Sequence, residues 1–303
     1  MNLLLSIAFV LCWSSGFIGA KLGVGTAPAV TILMWRFLPL AVILLVVAAL
    51  SGASWKELTP RDVTRQAVIG VLSQSGYLLT VYYAIQLGVS SGTTALIDGV
   101  QPLVAGALAG PLLHQYVSRH QWIGLVLGLS GVSVVTMADA TAGTGAPWWA
   151  YLIPLIGMFS LVGATLLQGR ARTPVNAATS MTVHCATSAV IFTALAVGAG
   201  AAKPPADLSF WVAITWLVAL STFGGYGLYW LIMRRSGVTK VNTLMFLMAP
   251  VTAVWGALMF GEPFHAQTAV GLAVCLAAVV IVHRGGVSSA GARSPDEPAR
   301  AGR

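Results

Sequence analysis

The sequence predicts an all-α integral membrane protein, with ten transmembrane helices arranged as two inverted five-helix repeats. Three observations carry that prediction. The chain has 303 residues, 57% hydrophobic and 8% charged, too few charges to clothe a water-soluble domain of this size. Apolar runs of roughly 17–25 residues recur along it, each long enough to cross a ~30 Å hydrocarbon core as a helix. Alternating strands of a membrane barrel are absent. Finally, the stretch from Gly88 to Ile123, a polar turn followed by a Gly-rich apolar run with Asp98 and Pro102, returns about 150 residues later from Gly237. Pro102 and Pro250 hold matching places, with His114 and Glu262 twelve residues after each. Two copies of one hydrophobic module build the chain.

The ten spans fall at about 3–22, 28–50, 65–87, 92–113, 119–137, 147–169, 177–199, 209–232, 239–260 and 266–283. Turn chemistry separates them: Gly25 to Pro28, Ser51 to Pro60, Ser90 to Gly92, Gly143 to Pro147, Thr173-Pro174, Pro204-Pro205 and Gly261 to Pro263. The first run continues from Leu3 to Ala20 without a basic n-region, so it reads as a span and not as a cleaved signal peptide. The first repeat covers residues 1–138 and the second 147–283. Residues 284–303, rich in Gly, Pro, Ser and Arg, read as a disordered cytoplasmic tail.

With the N-terminus inside, thirteen Lys and Arg lie in inside loops or the tail, against Lys21 and Lys203 outside. That bias predicts cytoplasmic termini. It also disposes of nucleic acid as a reason for the net charge of +8, because these charges sit in loops between spans. Five spans per repeat start the second copy from the opposite side of the membrane. Inverted repeats are a recurring basis of alternating access, with substrate near the midplane.

Cys12, Cys185 and Cys275 lie apart inside apolar runs and suggest neither a disulfide framework nor a zinc site. No cofactor or metal is expected, and no Walker A pattern points to ATP.

The run CWSSGFIGAKLGVGTAPAVTILMWRF carries Trp13, Ser15, Phe17, Lys21, Pro28, Arg36 and Phe37. Spans 3 and 8 end in YYAIQLGVSSG and YWLIMRRSGVTK, and Gly261-Glu262 follows the Pro-containing ninth span. In this order, over about residues 1–283, the chain resembles the EamA-type members of the drug/metabolite transporter superfamily. The resemblance implies a secondary transporter of small metabolites in a bacterial inner membrane, often an exporter of amino acids or related compounds. Two features depart from the family pattern. His114 stands where a Glu is usual, and Asp98 stands where a small or hydroxyl residue is usual.

Ionisable residues inside a bilayer cost about 2.5–3.5 kcal/mol on insertion scales, so each needs a reason. Arg36 and Asp98 both lie roughly 9–12 Å below the outer surface, counted at 1.5 Å per residue. Equal depth allows a structural ion pair. Alternatively, Arg36 meets a substrate carboxylate while Asp98 binds an amino group or a proton. Lys21 near the outer end of span 1 reads as a snorkelling residue or a substrate contact. His184, with an ordinary pKa of about 6.5, suits either a proton relay or a packing role. Gly76-Tyr77 and Gly225-Tyr226 match across spans 3 and 8, which sets Gln74 against Phe223 and Tyr82 or Tyr83 near Tyr229 or Trp230. Trp13, Gln74, Tyr77, Gln101 and Tyr226 therefore join Arg36, Asp98 and His184 as candidate substrate-binding residues. Aromatic rings with polar tips suit an amphipathic solute.

Pro102, Pro154 and Pro250 should kink their spans. Glycine pairs such as Gly19/Gly23 and Gly124/Gly128 permit close helix packing, within a monomer or between the copies of a homodimer. The favoured function is export of an amino acid or related compound. Import or exchange of phosphorylated or nucleotide-linked metabolites would want several cations facing one cavity. A membrane-embedded lipid enzyme would have to use His114, Arg119 and His120, which lack a nearby carboxylate.

Overall fold

The computed structural model describes residues 3–50, 59–113, 119–143, 145–170 and 175–291. Among them the regular structure is helical, without a strand. The first half contains α1 (Leu3–Val24), α2 (Ala29–Leu50), α3 (Pro60–Gly70), a π-helical segment π1 (Val71–Gly76), α4 (Tyr77–Gln86), α5 (Ser91–Gly99), α6 (Gln101–Leu113) and α7 (Arg119–Thr141). After a 3₁₀ turn (Trp148–Leu152) come α8 (Ile153–Gly169), α9 (Ala177–Gly198), α10 (Leu208–Trp216), a second π-helical segment π2 (Leu217–Gly224), α11 (Gly225–Met245), α12 (Met248–Phe260) and α13 (Ala266–Gly291).

Seven continuous helices among the described residues are long and apolar enough to cross a membrane, and Met248–Phe260 and Ala266–Val282 are shorter apolar helices. Their outer faces are apolar: Leu258 is 83% exposed and Val190 70%, as hydrocarbon rather than water would require.

Several boundaries differ from those the sequence predicts, each for a local reason. The third span starts at Pro60 and not near 65, because Thr59 and Asp62 form a capping box that extends the helix past its apolar run. The three prolines begin helices instead of bending them. Pro102 follows a break at Val100, Pro154 opens α8 after the 3₁₀ turn, and Pro250 sits in the first turn of α12. The missing N–H costs nothing in a first turn. Pro39 lies inside a continuous helix, α2. The break expected between the eighth and ninth spans is helical in backbone, and the chain bends instead at Phe246-Leu247. At the far end α13 runs to Gly291, past the expected limit of 283, since no proline interrupts it before Pro295. His114, the turn Thr173-Pro174 and most of the expected tail lie outside the described residues.

The most closely packed helix pairs are α7 with α13, α2 with α9, and α5 with α12. Counted as apolar runs, they pair the fifth with the tenth, the second with the seventh and the fourth with the ninth. Gly131 and Gly271 show why α7 and α13 come so near. A Cβ on Gly131 would stand 2.7 Å from the Gly271 carbonyl oxygen, and one on Gly271 would stand 2.8 Å from that of Gly131. Gly19, Gly23, Gly124 and Gly128 also face other helices of the same chain.

Two large apolar cores result, beside two smaller clusters among the described residues. One joins α1, α2, α4, α9, α10 and π2 around Leu33, Phe37, Tyr82, Phe192 and Phe210. The other joins α5, α6, α7, α8, α12 and α13 around Leu96, Val132, Met158, Ala249 and Cys275. Each core draws on both halves of the chain.

Candidate substrate cavity

The two π-helical segments set up the site. π1 ends at Gly76 and is followed by Tyr77, while π2 ends at Gly224 and is followed by Gly225-Tyr226. A π turn inserts a residue into the helical ladder, re-aims the side chains around it and loosens backbone pairing. Neighbouring hydroxyls fill in: Ser160 of α8 donates to the Leu72 carbonyl at 2.8 Å, and Thr222 donates to the Leu217 carbonyl at 3.1 Å. Gly16 lets α1 close on π2, since a Cβ there would stand 2.8 Å from Ser221 Oγ.

Between α1, α2, π1, α4, α9, π2 and α11 lies a small, partly open cavity. Arg36 of α2 reaches into it and is 5% exposed. Its Nη1 donates to the Tyr82 hydroxyl at 2.7 Å, and its Nη2 donates to Ser221 Oγ at 3.3 Å and Thr222 Oγ1 at 3.2 Å. The guanidinium carbon lies 5.5 Å from the Phe37 ring centroid. Nε is buried without a partner, and no carboxylate lies within ion-pair distance among the described residues. Trp13 and Tyr226 give the cavity an aromatic wall. Trp13 meets Tyr226 at 5.3 Å and Tyr229 at 5.9 Å between centroids, with Phe9 behind.

Five of the eight candidate residues line this cavity: Trp13, Arg36, Gln74, Tyr77 and Tyr226. Three do not. Asp98 is reached through Tyr77, whose hydroxyl donates to Asp98 Oδ2 at 2.8 Å. Gln101 donates to Thr165 Oγ1 of α8 at 3.1 Å, a link between helices. His184 Nε2 hydrogen-bonds Gln66 Oε1 of α3 at 2.9 Å, another such link.

The Arg36–Asp98 ion pair is absent, because the two groups have separate partners. Lys21 neither snorkels freely nor faces the cavity; its Nζ lies 3.4 Å from Glu262 Oε1. At the positions that the Gly-Tyr match sets against each other, Gln74 is buried while Phe223 is 46% exposed. Tyr82 is buried on Arg36, whereas Tyr83 and Trp230 face outward. Reading the sequence missed Tyr82, Ser221, Thr222 and Cys185 as lining residues. The signal within reach was the pair of Gly-Tyr steps, which marks where both π segments end.

A separate polar cluster ties the bundle together beyond the cavity. Gly261 adopts a left-handed conformation (φ 65°) at the C-terminus of α12 and turns the chain so that Glu262 points back over Gly256. The Glu262 carboxylate accepts from Ser91 N at 2.9 and 3.0 Å and from Ser91 Oγ at 2.6 Å, at the N-terminus of α5, where a helix favours negative charge. Next to it, Asp139 Oδ2 of α7 accepts from Ser90 N at 3.1 Å.

Lipid-facing helices enclosing a buried polar cavity define a multi-pass membrane transport protein. The chain belongs to the EamA-like transporter family, whose model matches twice, over residues 1–137 and 148–284. Among its relatives are the uncharacterized inner membrane transporter YedA of Escherichia coli (strain K12), 24% identical over 92% of this chain and 89% of that one, and a probable terminal-alkyne amino-acid exporter of Streptantibioticus cattleyicolor, 22% identical over 91% of each chain. A probable amino-acid metabolite efflux pump of Salmonella typhimurium is 21% identical over 91% of this chain and 93% of that one. A crystal structure at 18% identity superposes with a TM-score of 0.64, covering 94% of this chain and 97% of its own, and shows the same fold.

Proposed function

We propose that the chain is a secondary transporter that exports amino acids or related amphipathic carboxylates. In this reading two inverted repeats of five spans work by alternating access, with both termini cytoplasmic. The observation that carries the substrate class is the buried Arg36 guanidinium, which faces a cavity without a carboxylate of its own. Such a charge calls for a counter-anion, and a substrate carboxylate supplies one in bidentate geometry. Trp13 and Tyr226 receive the apolar part of the solute. A phosphorylated substrate would want more cations than the cavity offers, and Lys21 is engaged by Glu262. The packing of run two on seven, four on nine and five on ten supports a two-fold axis between repeats. The names of two relatives agree with amino-acid export.

The test is exchange of radiolabelled amino acids across proteoliposomes for wild type, Arg36→Lys and Arg36→Gln. A charged hydrogen bond contributes about 1.5–3 kcal/mol. Arg36→Gln should therefore raise KM about 10- to 150-fold, with Arg36→Lys between it and wild type. Saturable exchange unchanged in Arg36→Gln would overturn the assignment.

A further inference from the structure

Asp98 occupies an unusual place. It lies in the last turn of α5, one residue before that helix ends at Gly99, and the chain restarts as α6 at Gln101-Pro102. A helix broken at membrane depth next to a cavity is where transporters build ion sites. Asp98 Oδ2 accepts from the Tyr77 hydroxyl, and Oδ1 is buried without a partner.

The helices packed on α5 are α1, α4, α6, α7, α8 and α12. Helices α6, α8 and α12 carry no charged or titratable residue among those whose side chains are described. On α1, Lys21 is held by Glu262. On α7, Asp139 is held by Ser90, while Arg119 and His120 are exposed at its other end. From α4, Tyr77 reaches Asp98, while Tyr82 serves Arg36. Asp98 is thus a carboxyl group without a cation, one hydroxyl away from the cavity that Arg36 lines.

A carboxylate so placed has no Coulombic compensation for its lost hydration, and the neutral acid avoids that penalty. We propose that Asp98 is the proton-binding site of a proton-coupled transport cycle, with Tyr77 as the positioning residue that links it to the substrate cavity. This rests on the reading of the cavity as the substrate site. The step is a proton transfer alone. One proton from water in the open cavity bonds to the Asp98 carboxylate, the charge is neutralised, and the same proton returns to water on the other side. No electrons change hands. The charge-assisted bond from Tyr77 weakens on protonation, roughly by half. Tyr77 lines the cavity and bonds Asp98, so a change at either site is felt at the other.

Two measurements test this. Infrared difference spectra of the purified full-length protein between alkaline and acid buffer need no substrate. Asp139 is a second buried carboxyl with an unpartnered oxygen, so it serves as the control: a dehydrated carboxylic-acid band present in wild type, Glu262→Gln and Asp139→Asn should be lost in Asp98→Asn, and an Asp98→Asn spectrum identical to that of wild type overturns the proposal. In proteoliposomes supplied from outside with radiolabelled L-leucine or L-phenylalanine, an acid interior should drive wild type to concentrate label inside as protons leave. Asp98→Asn should exchange label within about twofold of wild type yet fail to concentrate it, and Asp98→Glu should recover the drive. Tyr77→Phe, which removes a hydroxyl from the cavity lining, should raise the KM for exchange and flatten its pH response. Equal accumulation by Asp98→Asn and wild type overturns the proposal. Absence of exchange by wild type would count against the amino-acid reading, and the infrared result then decides the proton site on its own.

Discussion

Two buried charges, Glu262 and Arg36, are treated in opposite ways. The carboxylate of Glu262 receives a backbone N–H, a hydroxyl and the Lys21 ammonium. The guanidinium of Arg36 receives three hydroxyl oxygens, no anion, and leaves Nε unpaired. The Glu262 side chain is 7% exposed and Arg36 is 5% exposed, so each loses most of its hydration. The difference lies in who supplies the compensation. At Glu262 the protein itself supplies it, and the carboxylate ties α12 to α1 and α5. At Arg36 the compensation is left to a solute. A charge satisfied within the protein holds one arrangement of helices, whereas a charge left short of a counter-ion is open to binding.

Removing each charge should therefore move stability in opposite directions. Glu262→Ala leaves the partly exposed Lys21 ammonium without its anion and the buried Ser91 N–H and hydroxyl without their acceptor, at about 1–3 kcal/mol for each buried donor left unpaired. In thermal unfolding in detergent its midpoint should fall further than that of any variant at Arg36 or Lys21. An unchanged midpoint would mean the cluster carries no stability. Arg36→Met replaces an uncompensated charge by an apolar chain of similar length. It should be neutral or stabilising by up to about 4 kcal/mol while abolishing exchange. A strongly destabilised Arg36→Met protein would make Arg36 a structural residue and erase the contrast.

The sequence carried the parts of this picture that depend on one dimension. Run length gives spans, the returning Pro102/Pro250 pattern gives the repeat, and depth along a helix follows from counting residues. It could not give azimuth. Arg36 and Asp98 sit at similar depth, which made an ion pair reasonable, yet Arg36 turns to Tyr82 and Ser221 while Asp98 turns to Tyr77. Nor did it give the π segments, because Val71–Gly76 and Leu217–Gly224 contain no residue type peculiar to that geometry. The partners of Glu262 were invisible for a different reason. Ser91 lies 171 residues away, and only the packing of α5 on α12 brings the two together.

The finest test of the contrast is Lys21→Gln. Lys21 has a side chain 26% exposed against 7% for Glu262, so water screens part of the ion pair. Glu262 also keeps its three hydrogen bonds from Ser91 when the ammonium is gone. The expected loss is therefore about 1 kcal/mol or less, the range of partly exposed pairs, and well below that of Glu262→Ala. In a double-mutant cycle, Lys21→Gln should cost little further once Glu262→Ala is present. Equal and additive losses would mean that Lys21 stabilises the α1 end through its aliphatic stem. The compensation of Glu262 would then lie with the α5 N-terminus alone.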